Sequence, residues 1–201
     1  MLNVGDSRGA PAKRAGISVS YRFLLTLAAV LVLDQATKLA VMRFLPWSPE
    51  SPVYSMSGAV KPIPVIDGLF YIVHITNQGA AWGILPGQTY LLNSIAVVTL
   101  AAMWFFRREL GCSHPQMQYA MGIFCGGVLG NLVDRLCYGH VVDFLDVHIP
   151  LIGYRWPAFN VADCAIAVGV GLYLVISLVL EHREKREMKS GRLKRDGGMG
   201  K

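Results

Sequence analysis

Apolar residues in this chain run in long blocks instead of alternating, and the polar positions collect between the blocks. Four blocks qualify as membrane-crossing helices, residues 23–42, 89–106, 117–136 and 161–180, since a helix needs about 20 mostly apolar residues to cross a hydrocarbon core of roughly 30 Å. The first loop, residues 43–88, is the longest. It opens with the Pro- and Ser-rich run Pro46-Trp47-Ser48-Pro49-Glu50-Ser51-Pro52, where a helix cannot continue. It then changes character: Val65 to Thr76 is dense in β-branched and aromatic residues around the turn signal Asp67-Gly68. A second strand-like run, His140 to Ile149, follows the third block. With alternating spans both runs fall on one side, where they can pair at the membrane interface, because open sheet edges are not tolerated in lipid. The pattern predicts an α-helical integral membrane protein with four transmembrane helices and a small extracytoplasmic β element.

Composition agrees with that class: 53% of the 201 residues are hydrophobic and 16% are charged. The formal net charge of +6 would suit nucleic acid, but the placement of the bases points to a membrane. Arg8, Lys13, Arg14 and Arg22 precede the first block, Arg107 and Arg108 follow the second, and eight more follow Leu180. These fourteen of the nineteen Lys and Arg share one side, the cytoplasm by the positive-inside rule. Residues 1–22 are then a cytoplasmic segment, residues 23–180 the membrane domain, and residues 181–201 a basic cytoplasmic tail. The tail begins as a mixed-charge helix near anionic lipid. A basic stretch followed by Phe23 to Leu33 also resembles a secretory signal peptide, but Asp34 and Lys38 stand where a cleavage site should lie. Cys112, Cys125, Cys137 and Cys164 are scattered and read as small buried hydrophobes, not as a disulfide or zinc framework. Gly122, Gly126 and Gly130 form a small-residue face on the third block, and Ala165 and Gly169 repeat the spacing on the fourth. Such faces let helix backbones approach closely in lipid.

Topology gives the polar residues their meaning. Asp34, Lys38, Asn77, Asn131, Asp134, Arg135, Asp143, Asn160 and Asp163 all fall at or near the outer ends of spans. Ionisable groups at membrane depth cost roughly 2.5–3.5 kcal/mol near a helix centre and are functional candidates by default. Asp143 and Asp163 are brought to one face by the short connection between the third and fourth blocks. Two carboxylates close together in a partly dry site share a proton near neutrality, the state an aspartyl peptidase uses to activate water without a metal. Capping or ion-paired aspartates are the competing structural reading. Asp146 ranks below Asp143. Asp34 and Lys38, four apart, are placed to form a helix-face ion pair, and Asn160 is placed to cap the fourth helix.

Four ordered motifs carry a resemblance: Leu33-Asp34-Gln35-Ala36-Thr37-Lys38; Asn77-Gln78-Gly79-Ala80-Ala81-Trp82; Gly126 to Arg135 with Gly139-His140-Val141-Val142-Asp143-Phe144; and Phe159-Asn160-Val161-Ala162-Asp163. Together, over roughly residues 20–180, they resemble bacterial lipoprotein signal peptidase, also called signal peptidase II. The resemblance implies an aspartic endopeptidase of the bacterial inner membrane. It would cleave diacylglyceryl-modified prolipoproteins on the N-terminal side of the lipidated cysteine. The two-carboxylate chemistry calls for no cofactor, and a monomer is the default expectation because nothing in the sequence demands a partner chain. The resemblance assigns Asp143 and Asp163 as the catalytic pair. Asn77, Arg135 and Asn160 become substrate-binding residues, and Asp34, Lys38, Gly79, Asn131 and Asp134 supports, the last two bracing the loop that carries Asp143. It also implies a β-cradle at the outer face. Two departures stand out: Trp82-Gly83 replaces the family's more usual Phe and small hydroxyl residue, and the loop from Pro46 to Pro64 is longer than the family core. The rival class is a small ion-coupled carrier, which needs polar residues distributed across the membrane; spans two and four offer almost none. A presenilin-like protease would carry a G-x-G-D signature, and none is present. A structural scaffold would be indifferent to changing either carboxylate to its amide.

Overall fold

The computed structural model describes residues 21–45, 62–80 and 84–197, with side chains through Met188. The bases Arg8, Lys13 and Arg14, the Pro-rich start of the first loop and the Trp82-Gly83 departure lie outside the described residues.

The long apolar blocks are helices: α1 (Tyr21–Phe44), α2 (Thr89–Phe105), α3 (Pro115–Tyr138) and α4 (Val161–Gly197). Three of them, Tyr21–Phe44, Pro115–Tyr138 and the Val161–Met188 part of α4, are long and apolar enough to cross a membrane. The apolar α2 is shorter, at 17 residues. Pro115 sits in the first turn of α3, where its missing N–H costs nothing. Gly139 ends α3 in the left-handed conformation at φ 76°, its N–H donating to the Arg135 carbonyl. α4 runs well past the apolar block, with Glu181 and Lys185 ion-paired four residues apart.

α3 is the central helix and packs most extensively against α4 and α1. Its glycines make this possible. A Cβ on Gly126 would lie 2.8 Å from Val30 Cβ of α1, and one on Gly127 would lie 2.5 Å from the Ala162 carbonyl oxygen of α4. Gly169 returns the contact from α4 against the backbone of Phe124. In contrast, α1 and α4 expose Leu24, Leu25, Val32, Leu33, Val168, Leu174, Val175 and Leu178 outward, the face a bilayer would cover.

The strands β1 (Ile63–Ile66), β2 (Phe70–Asn77), β3 (Val141–Ile149) and β4 (Tyr154–Arg155) form one antiparallel sheet in that order. Asp67-Gly68-Leu69 turns the chain from β1 into β2, with Gly68 at φ 77°. The β2–β3 register runs Phe70↔Val147 to Ile72↔Leu145, then Ile75↔Asp143 to Asn77↔Val141, so β2 carries an extra residue at Val73–His74. One sheet face packs on the end of α1 through Val41, Val142 and Phe144, with Met42, Ile72, Leu145 and Val161 around them. That contact seats the β3 start, and Asp143 with it, over the helix ends.

Candidate active site

Two neighbouring polar clusters occupy the junction of α1, α3, β3 and α4. In the deeper one, Lys38 Nζ lies 2.9 Å from Asp34 Oδ2, 2.8 Å from Asp134 Oδ2 and 3.0 Å from Asn131 Oδ1. All three charged side chains are at most 1% exposed. Gln35 Nε2 donates to Asp134 Oδ1 at 2.9 Å and also to Asp34 and the Gly130 carbonyl. The two carboxylates also hold backbone. Asp34 Oδ1 accepts from the Ala162 N–H at the start of α4, and Asp134 Oδ2 accepts from the Val142 N–H at the start of β3. A closed set of charges with every partner in place therefore ties down the first residues of the two elements that carry Asp143 and Asp163.

Asp143 and Asp163 line one cavity of about 550 Å³. Amides hold them. Asn77 Nδ2 donates to Asp143 Oδ2 at 3.0 Å and Asn160 Nδ2 donates to Asp143 Oδ1 at 2.7 Å. Asn131 Nδ2 donates to Asp163 Oδ1 at 2.8 Å, and the Asn160 N–H to Asp163 Oδ2 at 3.1 Å. Each amide is oriented by what its oxygen accepts. Asn160 Oδ1 takes the Asp163 N–H at 3.0 Å, capping α4 reciprocally with Asp163, which turns its NH₂ toward Asp143. Asn131 Oδ1 accepts a hydrogen bond from Lys38 Nζ, which turns its NH₂ toward Asp163. Asn77 Oδ1 takes the Gly79 N–H in a tight turn. Arg135 Nη2 donates to the Gly79 carbonyl at 3.0 Å and Nη1 reaches the Asn131 carbonyl at 3.4 Å, while its Nε is buried without a hydrogen-bond partner.

Burial pushes the Asp143 carboxyl up to about 7, with the charge of Asp163 acting in the same direction and the Asn77 and Asn160 amides and Lys38 opposing. A carboxyl that titrates near neutrality beside a second carboxylate is equipped for proton transfer. The remaining cavity wall is largely apolar, formed by the Trp156-Pro157-Ala158-Phe159 segment and by Cys164, Ile166 and Ala167 one turn into α4. The cavity thus runs from a polar end at the carboxylates down an apolar helix face.

Comparison with known proteins fixes the family. The family model for signal peptidase (SPase) II matches residues 26–179. The chain belongs to the signal peptidase II family. A lipoprotein signal peptidase of Syntrophus aciditrophicus is 39% identical over 168 residues, covering 81% of this chain and 95% of the relative. That of Syntrophotalea carbinolica is 40% identical, covering 77% and 90%. A bacterial membrane enzyme solved by the in meso method at 2.3 Å superposes with a TM-score of 0.66 at 31% identity, over 81% of this chain and 90% of the other. As a signal peptidase II, the chain is a membrane peptidase whose reaction is signal-peptide cleavage from prolipoproteins.

Every candidate site residue expected from sequence gathers at this junction, with one difference in detail. Asn131 contacts Asp163, Lys38 and Asn160 instead of the loop that carries Asp143; only Asp134 grips that loop, through Val142. Asn131 lies one turn before Arg135 on α3, and its amide is taken up by Lys38, Asp163 and Asn160. Sequence reasoning missed Gln35, Cys164 and the Trp156–Phe159 wall. Gln35 had a signal in its place between Asp34 and Lys38, and Cys164 in its place beside Asp163. Asp146 is buried in a two-pronged ion pair with Arg155 on the β3–β4 hairpin, so it is occupied with a partner of its own.

Proposed function

We propose that this signal peptidase II is an aspartic endopeptidase in which Asp143 and Asp163 share one proton across the cavity. The observation that carries the reading is that both carboxylates line one cavity and are held only by amide and backbone N–H donors, with no cation bonded to either among the described residues. Nothing there fixes both as permanent anions. The ionised member takes a proton from a water molecule as the water oxygen bonds to the scissile carbonyl carbon. The protonated member gives its proton to the carbonyl oxygen, leaving a neutral gem-diol. Collapse of that intermediate breaks the C–N bond: the carboxylate that gave its proton takes one back from a hydroxyl as the carbonyl re-forms, and the carboxyl that gained the water proton delivers it to the departing amine, which restores the shared proton. No step calls for a metal or cofactor. Asn77 and Asn160 hold Asp143 at its working orientation, Asn131 holds Asp163, and Arg135, which lines the cavity, orients a substrate carbonyl.

The substrate in this reading is a prolipoprotein carrying a diacylglyceryl group, cut N-terminal to the lipidated cysteine. Support comes from the cavity's continuation along Cys164, Ile166 and Ala167 into the apolar face of α4, where acyl chains stay at bilayer depth while the peptide bond reaches the carboxylates.

Four spans, with both termini cytoplasmic and the site at the outer face, are also part of the proposal. The support is a parity argument. β2 precedes α2 and β3 follows α3, yet the two strands hydrogen-bond and so share a side. If α3 crosses the membrane, α2 must cross back, and 17 residues, near the lower end of the range for a spanning helix of about 17 to 25 residues, suffice. The bases beyond Leu180 and at Arg107–Arg108 then share the cytoplasmic side. The domain limits at residues 22/23 and 180/181 follow from the same topology, and a monomer completes the reading.

The test is incubation of the purified protein with diacylglyceryl-modified and unmodified forms of one prolipoprotein. Cleavage of the modified form alone is expected; equal cleavage of both refutes lipid-dependent recognition.

A further inference from the structure

The Asp146–Arg155 ion pair does not line the cavity itself but adjoins the Trp156–Phe159 segment that does, and its surroundings suggest what it does. After β4 the chain turns back along β3 toward Asn160. The Trp156 N–H donates to the Val147 carbonyl at 2.8 Å, and Phe159 exchanges bonds with Leu145 at 2.8 and 3.0 Å. Between these two anchor points β3 spends one residue, Asp146, while the returning chain spends two, Pro157 and Ala158. The surplus residue makes a bulge, and Pro157 has no N–H to give β3. Residues 156–159 therefore arch off the strand, and all four line the cavity that holds Asp143 and Asp163.

Among the described residues, backbone bonds hold the arch only at its ends. At its leading end Arg155 is fixed by a fork, Nε to Asp146 Oδ1 at 2.8 Å and Nη2 to Asp146 Oδ2. Asp146 is 2% exposed and Arg155 34%, so the bond is shielded on the carboxylate side and is more than a surface ion pair. The planar fork fixes direction as well as distance. The β3–β4 connection that delivers Arg155 is itself shaped for it, with a 3-10 turn at Pro150–Ile152 and Gly153 in the left-handed conformation at φ 62°.

We propose that Asp146 and Arg155 are positioning residues for substrate: their fork sets the Trp156–Phe159 arch as one wall of the substrate groove and governs substrate capture, leaving the chemistry at the carboxylates untouched. This rests on the cavity being the peptidase site. Loosening the arch should widen the groove and weaken substrate binding, whereas Asp143 keeps its own amide donors and Asp163 its helix cap.

The experiment measures kcat and KM of purified Asp146→Asn, Arg155→Lys, the doubly neutral Asp146→Asn/Arg155→Gln and the exchange Asp146→Arg/Arg155→Asp on a diacylglyceryl-modified lipopeptide, with thermal unfolding of each. Asp146→Asn should raise KM about 10-fold with kcat within about twofold, the signature of lost substrate binding. Arg155→Lys, which keeps the charge and loses the fork, should raise KM by a smaller factor. The doubly neutral variant should be no worse than Asp146→Asn, because the two residues act as one unit. An unchanged KM in Asp146→Asn or Arg155→Lys, with or without a lowered unfolding temperature, overturns the proposal, and so does a fall in kcat at constant KM. If Asp146→Asn fails to fold, Arg155→Lys decides by the same criterion, while the exchange, which keeps an ion pair at the site, should raise KM less than the doubly neutral variant does, and an equal rise overturns the proposal. Asp143→Asn run alongside separates the two readings: activity retained in that variant overturns the site itself, whereas activity lost there with normal KM in the fork variants overturns the fork's role alone.

Discussion

Two carboxylate pairs lie side by side in this protein and differ in one respect. Asp34 and Asp134 share a lysine, whose ammonium is within 3 Å of both, and each also accepts a backbone N–H from an element it anchors. Among the described residues, no cation is bonded to Asp143 or Asp163. Their donors are amides and a backbone N–H, and their free side faces a cavity. A buried carboxylate with an ion-pair partner is committed to its charge and serves as a fastener. One held by neutral donors can exchange its proton and serve as a reagent. Asn131 joins the two pairs, accepting from Lys38 and donating to Asp163, so the fastened pair also orients the working one.

The comparison can be broken from either side. The largest effect is expected from Asp163→Asn, which should lower the cleavage rate by at least about 10³-fold while leaving a membrane-inserted protein, checked by single-turnover assay and gel filtration in detergent. On the other side, Lys38→Met should act on stability. It leaves Asp34 and Asp134 buried without their cation, a loss of about 3–5 kcal/mol by precedent for broken buried pairs, visible as a lowered unfolding temperature. Wild-type thermal stability in that variant would show that the deep cluster is not a fastener. Asn160→Ala removes the α4 cap, about 1 kcal/mol, and the NH₂ that aims Asp143. A mispositioned reacting group costs up to about 10²-fold, so kcat should fall more than stability does.

The smallest effect is a pH dependence. With the Asp143 carboxyl near 7, raising the pH past that value strips the shared proton, and kcat/KM should decline on the alkaline side. The sign for stability follows from the same shift. A carboxyl held above its ordinary range contributes stability that is intact below that range and is lost as pH climbs toward 7, so the wild-type unfolding temperature should drop over that interval. Asp143→Asn should flatten the stability dependence.

Much of this was legible in the chain. Uninterrupted apolar blocks identified the helices, and Asp67-Gly68 between β-branched runs identified the hairpin. Alternating topology was enough to bring Asp143 and Asp163 to one face before any coordinates. What stayed hidden depends on geometry that periodicity does not encode. The Asp146–Arg155 fork spans nine positions through a 3-10 turn and a left-handed glycine. The extra residue at Val73–His74 shifts the β2 register, although no turn residue marks it. Gln35, whose amide bridges Asp34 and Asp134, looks from sequence like an ordinary polar neighbour of stronger residues. The role of Asn131 turns on which way an α3 side chain faces, a matter of helix packing set by Gly126, Gly127 and Gly130.

The central claim, that Asp143 is a reagent and not a fastener, is tested most directly by purified Asp143→Asn, assayed for cleavage of a diacylglyceryl-modified prolipoprotein and for thermal unfolding at pH 8. The expected result is no cleavage with an unfolding temperature at or above wild type, because the amide removes a buried charge that the fold disfavours. Cleavage at a substantial fraction of the wild-type rate would contradict the account, as would loss of activity accompanied by loss of the fold.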